Sequence, residues 1–266
     1  MIPAITLQKV PREILSSYGK DGRTGGPRAN LQVLADASKG VAAPDVIPAL
    51  LALHEAVTKA GGDFRITELH RDLAVQKAMR ARYDHWVASG KPKPGTSGFD
   101  SKTMKSDFVA LPGRSNHNGG RAIDFHVGML NFPGVTPDKQ LDKMWEICIP
   151  LGWTPIIKSA SESASESWHL DYFGELQGVF KRLGYEQGAL CGAILVGHGD
   201  LSGYEATIQA LLCRAGFDIG KIDGVIGPKT KAAISSALSI TPEAVASRLA
   251  SKDVALLSQL QELHPK

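Results

Sequence analysis

The sequence has only three cysteines in 266 residues, and no two of Cys148, Cys191 and Cys213 stand at C-x-x-C spacing. An odd set of this kind excludes a disulfide framework or a thiolate zinc centre as the organising device and leaves room for at most one bridge. The three thiols read instead as small buried apolar side chains. Long apolar runs are also missing: no segment approaches the ~20 residues of a membrane span. The first residues, MIPAITLQKVPREIL, lack the charged segment and apolar run of a standard secretory signal. Nor is there a strong excess of one charge. The 30 basic and 27 acidic side chains leave a formal charge of +3, which suits a polyanionic surface such as a cell wall but is too small to imply nucleic acid. With 43% hydrophobic and 21% charged residues, the chain can build an ordinary globular core. Its length suits one good-sized domain and a small one.

The stretch Gly19–Asn30, rich in glycine and basic residues, reads as an exposed loop. A helix is expected from Pro44-Asp45, with Val46, Leu50, Leu53 and Val57 at helical spacing and Gly61-Gly62 as its stop. Asp63–Leu69 alternates like a strand. A second helix runs from about Asp72 to Ala88, and residues 90–113 form a long loop of a kind that is often functional. Arg121–Val127 reads as a strand and Asp138–Leu151 as a helix closed by Gly152. The serine-rich SASESASES then leads to an aromatic strand at Trp168–Phe173. Helices and short strands without βαβ regularity predict an α+β domain built on a small antiparallel sheet. Beyond about residue 188 the character becomes that of a small all-α unit, with helices at Tyr204–Gly216 and Gly227–Leu238 and a linker near 186–200. The expected domains are 1–187, with a core at about 44–180, and 188–266, with a core at about 200–240.

Of the eight histidines, His54 and His85 fall inside predicted helices, His198 in the linker and His264 in the tail. His117 and His169 stand apart. His117 lies in the turn Arg114-Ser-Asn-His-Asn-Gly-Gly, directly before the strand that presents Asp124, and His169 begins the other aromatic strand. A loop histidine, a strand carboxylate and a second imidazole can converge on one cation and leave a fourth position for water, the arrangement of a catalytic zinc site. Nitrogen and oxygen donors suit zinc better than calcium. His126 shares a strand face with Asp124 and is read as a packing or hydrogen-bonding residue, with ligation as the alternative.

Ser115-Asn-His117-Asn-Gly-Gly120-Arg-Ala122-Ile-Asp124 resembles the S-x-H-x-x-G-x-A-x-D motif of the LAS-type zinc peptidases, and Glu166-Ser-Trp168-His169 resembles their E-x-W-H motif. That group includes D-alanyl-D-alanine carboxypeptidases, vancomycin-resistance D,D-peptidases and phage L-alanyl-D-glutamate endopeptidases. The resemblance covers roughly residues 60–175. It implies the LAS/Hedgehog-type fold, Zn2+ on His117, Asp124 and His169, and Glu166 as the general base. Glu162, the rival carboxylate of the same loop, reads as solvated surface. Thr67–Gln76 resembles the family's S-G-Y-R-S-x-x-x-Q segment and implies that Arg71 contacts substrate and stabilises developing negative charge. Gln76, Ser115 and Trp168 are the further expected substrate contacts. Ser115 has no G-x-S-x-G elbow around it and is read as a hydrogen-bonding partner, not a nucleophile. Glu68-Leu69-His70 replace the Ser-Gly-Tyr of the pattern and Asp72 its second serine, which leaves peptide specificity open.

Downstream, Ile208-Gln209-Ala-Leu-Leu212, Gly216 and Ile222-Asp223-Gly224-Val-Ile-Gly227-Pro-Lys-Thr230-Lys-Ala-Ala233 resemble the L-Q-x-x-L…D-G-x-x-G-x-x-T-x-x-A signature of peptidoglycan-binding domains. An Asp-Gly turn is expected there, with Thr230 capping or packing the next helix. Ser235-Ser236-Ala237 stand where that family carries Phe-Gln. Together the resemblances imply a zinc hydrolase of peptidoglycan peptide bonds. The chain is expected to be a monomer, and its charge balance predicts no nucleic-acid partner. Its second module would raise the local substrate concentration. D-Ala-D-Ala carboxypeptidase, D,D-endopeptidase and L-Ala-D-Glu endopeptidase (endolysin) activities stay open. A catalytically silent wall-binding protein is the alternative from another class, and a zinc amidase is a further one whose ligand motifs differ. The expected location is synthesis in the cytoplasm and action on the wall, as a phage lysin or after export by a route other than a standard signal.

Overall fold

The computed structural model describes residues 4–15, 40–161 and 166–263. The loop expected at Gly19–Asn30, Glu162 with the middle of the serine-rich stretch (residues 162–165), and His264 lie outside them. The chain opens with β1 (Gln8–Lys9), α1 (Arg12–Leu15) and β2 (Val41–Ala42), where β1 and β2 pair as an antiparallel ribbon. Helix α2 (Val46–Lys59) follows, and its buried residues are Val46, Leu50, Leu53 and Val57, the spacing read from the sequence. The chain leaves α2 through Gly61, whose φ of +77° any larger residue would resist.

The strand expected at Asp63–Leu69 is realised as β3 (Ile66–Glu68). Helix α3 (Leu73–Ala88) starts on Asp72, whose carboxylate accepts from Ala74 N at 2.7 Å. Then come β4 (Ala122–Phe125), α4 (Gln140–Cys148), β5 (Trp153–Pro155) and β6 (His169–Tyr172). The four strands β3 to β6 form one antiparallel sheet in the order β3-β4-β6-β5. The helix expected over Asp138–Leu151 is α-helical only at α4. Pro137 and Pro150 lie in the 3-10 turns that flank it, because proline supplies no amide proton to an α-helical ladder. Strand β5 was not foreseen. It has three residues, too few for an alternation to show, and is fixed by the buried Trp153, whose Nε1 donates to Ala49 O at 3.3 Å. The sheet packs on α2 and α4 through Leu50, Leu53, Ile66, Ile123, Met144 and Leu170.

A correction concerns residues 186–200. In place of a linker the chain forms α5 (Gln177–Leu183) and then α6 (Tyr185–Leu195), with every residue from Gly188 to Leu195 buried. A helix apolar on all sides is stable only inside a protein. One side of α6 meets the turn Asn116–Gly119, where a Cβ on Gly119 would stand 3.1 Å from the backbone of Gly192. The other side joins a second core with α7 (Tyr204–Arg214), α8 (Pro228–Leu238), α9 (Pro242–Ala250) and α10 (Val254–Gln261), through Ile194, Ile208, Leu212, Ile234 and Leu256. Helices α9 and α10 extend this unit past the core expected to end near 240. The chain is therefore α+β, a small antiparallel sheet with helices followed by a helical C-terminal region. All three cysteines are free and buried. Among the described residues no helix is long and apolar enough to cross a membrane.

The Asp-Gly turn of the second core is organised by one amide. The Gln209 side chain accepts from Asp223 N at 3.0 Å and Gly224 N at 2.8 Å, and donates to Val225 O at 3.0 Å and Asp223 Oδ1 at 2.9 Å. Thr230 is buried within α8 and packs; it does not cap.

Candidate metal centre and catalytic pocket

Strand register builds the site. Asp124 on β4 lies opposite His169 on β6, and on its other side opposite Glu68 on β3, where a bulge follows Ile66. Glu68, Asp124 and His169 thus form one row across three strands. His117 arrives from the 3-10 turn Asn116–Gly119, which closes onto β4 through Gly120 at φ +64°. A Cβ at Gly120 would meet the backbone of Ala43 at 3.0 Å, so the turn sits against β2 as only glycine allows.

His117, Asp124 and His169 offer ligand atoms that all lie within 4.8 Å of one another. His117 Nε2 stands 3.1 Å and His169 Nδ1 3.0 Å from the same oxygen, Asp124 Oδ1. The remaining nitrogen of each ring is held from behind. His117 Nδ1 lies 2.6 Å from Leu69 O and His169 Nε2 lies 2.9 Å from Asp171 Oδ1, both acceptors, so these nitrogens carry the protons. Neutral rings in these tautomers turn two lone pairs towards a carboxylate. Three acceptors facing one another are satisfied by a cation, and the outer partners are those that orient metal-binding histidines. Tetrahedral bonds of ~2.0–2.1 Å would separate donor atoms by roughly 3.3 Å, close to the spacing found. The residues fit a metal ion of the zinc type. Without one, His169 is protonated: burial pulls its pKa down, but the Asp171 carboxylate and hydrogen bonds to Asp124 and Asp171 outweigh it and raise the value to about 10.

Asp171 had not been singled out from the sequence. It is 1% exposed and also accepts from Asn116 Nδ2 at 3.0 Å and from the Tyr185 hydroxyl at 3.4 Å. The signal for it was its position two residues past His169 on the same strand face. Tyr185, from α6, carried no such signal. Arg121 was missed as well. Fully buried behind β4, it pairs with Asp45 at 2.7 Å and Glu175 at 2.8 Å and so ties the strand to the start of α2.

A cavity of about 200 Å³ opens over the cluster, walled by Glu68, Arg71, Ser115, Glu166, Trp168 and Tyr185 among others. Glu166 is half-buried with φ +68°, a left-handed backbone uncommon for this residue type. Its carbonyl accepts from His169 N at 3.1 Å. Burial raises its carboxyl pKa, a push partly offset by His169. Arg71 lies in the wall with Nη2 3.8 Å from Asp124 Oδ2. Gln76, expected among the substrate contacts, is placed elsewhere. It is completely buried behind Arg71, accepting from its Nη1 at 3.0 Å and donating to Ala110 O at 2.7 Å. It holds the arginine, and its amide has no face towards the cavity. His126, beyond the end of β4, takes no part in the cluster.

A family model described as D-alanyl-D-alanine carboxypeptidase (VanY) matches residues 41–175, half of the chain. The chain belongs to this family. The carboxypeptidase match spans His117, Asp124, Glu166, His169 and Asp171, and stops short of Tyr185 and the second core. It makes the protein a peptidase of the kind that acts on peptidoglycan. No curated protein and no solved structure matches the chain.

Proposed function

We propose that the protein is a zinc-dependent peptidase that hydrolyses peptide bonds in bacterial peptidoglycan, with His117, Asp124 and His169 as the ligands and Glu166 as the general base. The observation that carries this reading is the convergence of His117 Nε2 and His169 Nδ1 on Asp124 Oδ1, each ring anchored through its other nitrogen. When bound, zinc supplies polarisation of the scissile carbonyl and acidifies the attacking water. Glu166 lines the same cavity, and its raised pKa brings it nearer the range where a carboxylate can take a proton from water and return it to the leaving amine. Arg71, held by Glu68 and Gln76, brings a fixed positive charge to the side of Asp124 where charge develops. Ser115 and Trp168 line the cavity and shape the substrate path.

We read the helical unit from residue 188 as a wall-binding module, supported by its glutamine-organised Asp-Gly turn, and place the activity at the cell wall as a lysin or exported hydrolase. The test is elemental analysis together with digestion of purified sacculi, on wild type and Glu166→Ala. One zinc per chain in both, with fragments released by wild type alone, supports the reading. Wild type that binds no zinc and gains no cleavage when zinc is added would refute it.

A further inference from the structure

Arg71 is a half-buried cation of the pocket wall, and its fork is already filled. Nε donates to Glu68 Oε1 at 2.7 Å, Nη2 donates to the other oxygen of the same carboxylate, and Nη1 donates to Gln76. This is the two-pronged pairing that an arginine would otherwise offer a substrate carboxylate. Register keeps Glu68 in place, since the bulge after Ile66 sets it in the row of Asp124 and His169, on the pocket side. Lys105, another cation of the wall, is paired with Asp107 at 3.1 Å. A peptide's free terminal carboxylate entering beside Arg71 would meet Glu68, Asp124 and Glu166 and find the Arg71 fork filled. The other guanidinium of the wall, Arg114, stands at the groove side and pairs with no carboxylate among the described residues.

Arg114 and Tyr185 are shared between the pocket wall and a groove of about 630 Å³ that runs past Leu183, Gln187 and Lys221 to Asp223. Arg114 bridges the two cavities, its Nη1 donating to Glu186 O at 3.2 Å. A peptide that continues past the cut bond on this side would reach the groove beyond Arg114.

We propose that Glu68 is a specificity-determining residue that fills the Arg71 fork in place of a substrate carboxylate. The site would then select peptidoglycan peptide bonds with further residues on the leaving-group side, over the terminal bond of a free D-alanyl-D-alanine end. The assignment rests on the peptidase reading above and names its substrate class. The chemistry is unchanged hydrolysis: the C–N bond breaks, the water oxygen bonds the carbonyl carbon, and a proton goes to the leaving amine.

The zinc-loaded full chain, wild type and Glu68→Gln, is given a stem pentapeptide with a free carboxy terminus and, separately, cross-linked stem-peptide dimers. Products are quantified by mass spectrometry and zinc by elemental analysis. Wild type should cut bonds followed by further residues at least about tenfold faster, in kcat/KM, than it releases terminal D-Ala. Glu68→Gln should shift that ratio towards D-Ala release by at least about tenfold, the scale of one charge-assisted pair. The shift should come through a lower KM for the free acid, with zinc content unchanged. A role confined to holding Arg71 in place would instead lower kcat on both substrates. Dominant D-Ala release by wild type, or an unchanged ratio in Glu68→Gln, overturns the assignment while the peptidase reading stands. If zinc-loaded wild type cuts neither substrate nor sacculi, the peptidase reading falls and this assignment with it.

Discussion

Asp171 stands two residues beyond His169 on β6, and its Oδ1 accepts the Nε2 proton of that imidazole at 2.9 Å. The contact fixes which nitrogen faces Asp124, so a residue that touches no metal decides whether one can be held. Asp171→Asn keeps the shape but brings an amide among the donors of His169, Asn116 and Tyr185. Zinc affinity should fall by ~10–100-fold, the usual effect of losing an outer partner. Competition against a chelator of known affinity measures it, and an unchanged affinity would leave Asp171 with a packing role alone.

On the proposed zinc reading, the metal and a proton would compete for His169. Its pKa in the metal-free chain is raised to about 10, so below that pH the ring carries a proton that ligation must expel. Apparent zinc affinity should climb with pH, by up to about tenfold per unit, and level off near pH 10. The sign for folding is opposite. A raised imidazole pKa stabilises the metal-free chain fully below the ordinary value of 6.5, and this contribution is lost as pH rises through about 10. Calorimetric titrations in buffers of different ionisation enthalpy count the released proton. Binding with no proton release would mean that the ring is already neutral in the metal-free chain, and contradicts the raised pKa.

The Glu166 carboxyl is raised by burial above its ordinary 4.5. A base must be ionised to accept a proton, so kcat/KM should fall as pH drops through a value above 4.5. Glu166→Gln should lose ~10²–10⁴-fold in turnover while keeping its zinc. A pH profile of wild type beside zinc analysis of the variant checks both. Substantial activity in Glu166→Gln would move the base elsewhere.

How much of this could be read beforehand depended on whether the information was local. The cluster of His117, Asp124 and His169 was legible because each came with fixed neighbours at fixed spacing. Helix α2 was legible because its buried residues recur at helical spacing. Glu68 was not legible as a site residue. Its place follows from strand register and from a bulge, and register is a relation between distant segments. Asp171 carried a local signal, its place two residues past His169 on β6, which was passed over. Helix α6 was misread because its short glycine-containing apolar sequence lacks a polar face, and only a surrounding core makes such a helix stable.

Gln209 is the test of the second core. Its buried amide joins α7 to the Asp223-Gly224 turn, and glutamine is the longer of the two amide side chains that pair an NH2 donor with a carbonyl acceptor. Gln209→Ala should destabilise this unit by about 1–3 kcal/mol, because it strands backbone groups that the amide now satisfies. Urea unfolding should show the loss. Cleavage of a small soluble peptide should persist under native conditions, because Gln209 lies in none of the site's walls. Loss of sacculus binding alongside retained peptide cleavage would fit a wall-binding module, whereas unchanged binding would argue against one that works through this turn.

Gly119 lies where the turn carrying His117 meets α6. It ends the turn that carries His117, and a Cβ there would stand 3.1 Å from the Cα and carbonyl carbon of Gly192 in α6. Both neighbours are backbone, so no side chain can swing aside, and α6 is held by burial on its other faces. Gly119→Ala must therefore push the turn away from α6 or shift the helix. A core overpacked by one methyl costs about 1–3 kcal/mol, and displacement of the turn moves His117 Nε2 off Asp124. We expect a lower Tm together with weaker zinc binding, and added zinc should restore part of the Tm by mass action. A lower Tm with unaltered zinc affinity would mean that α6 yields and the metal turn does not, making Gly119 a packing residue without influence on the site.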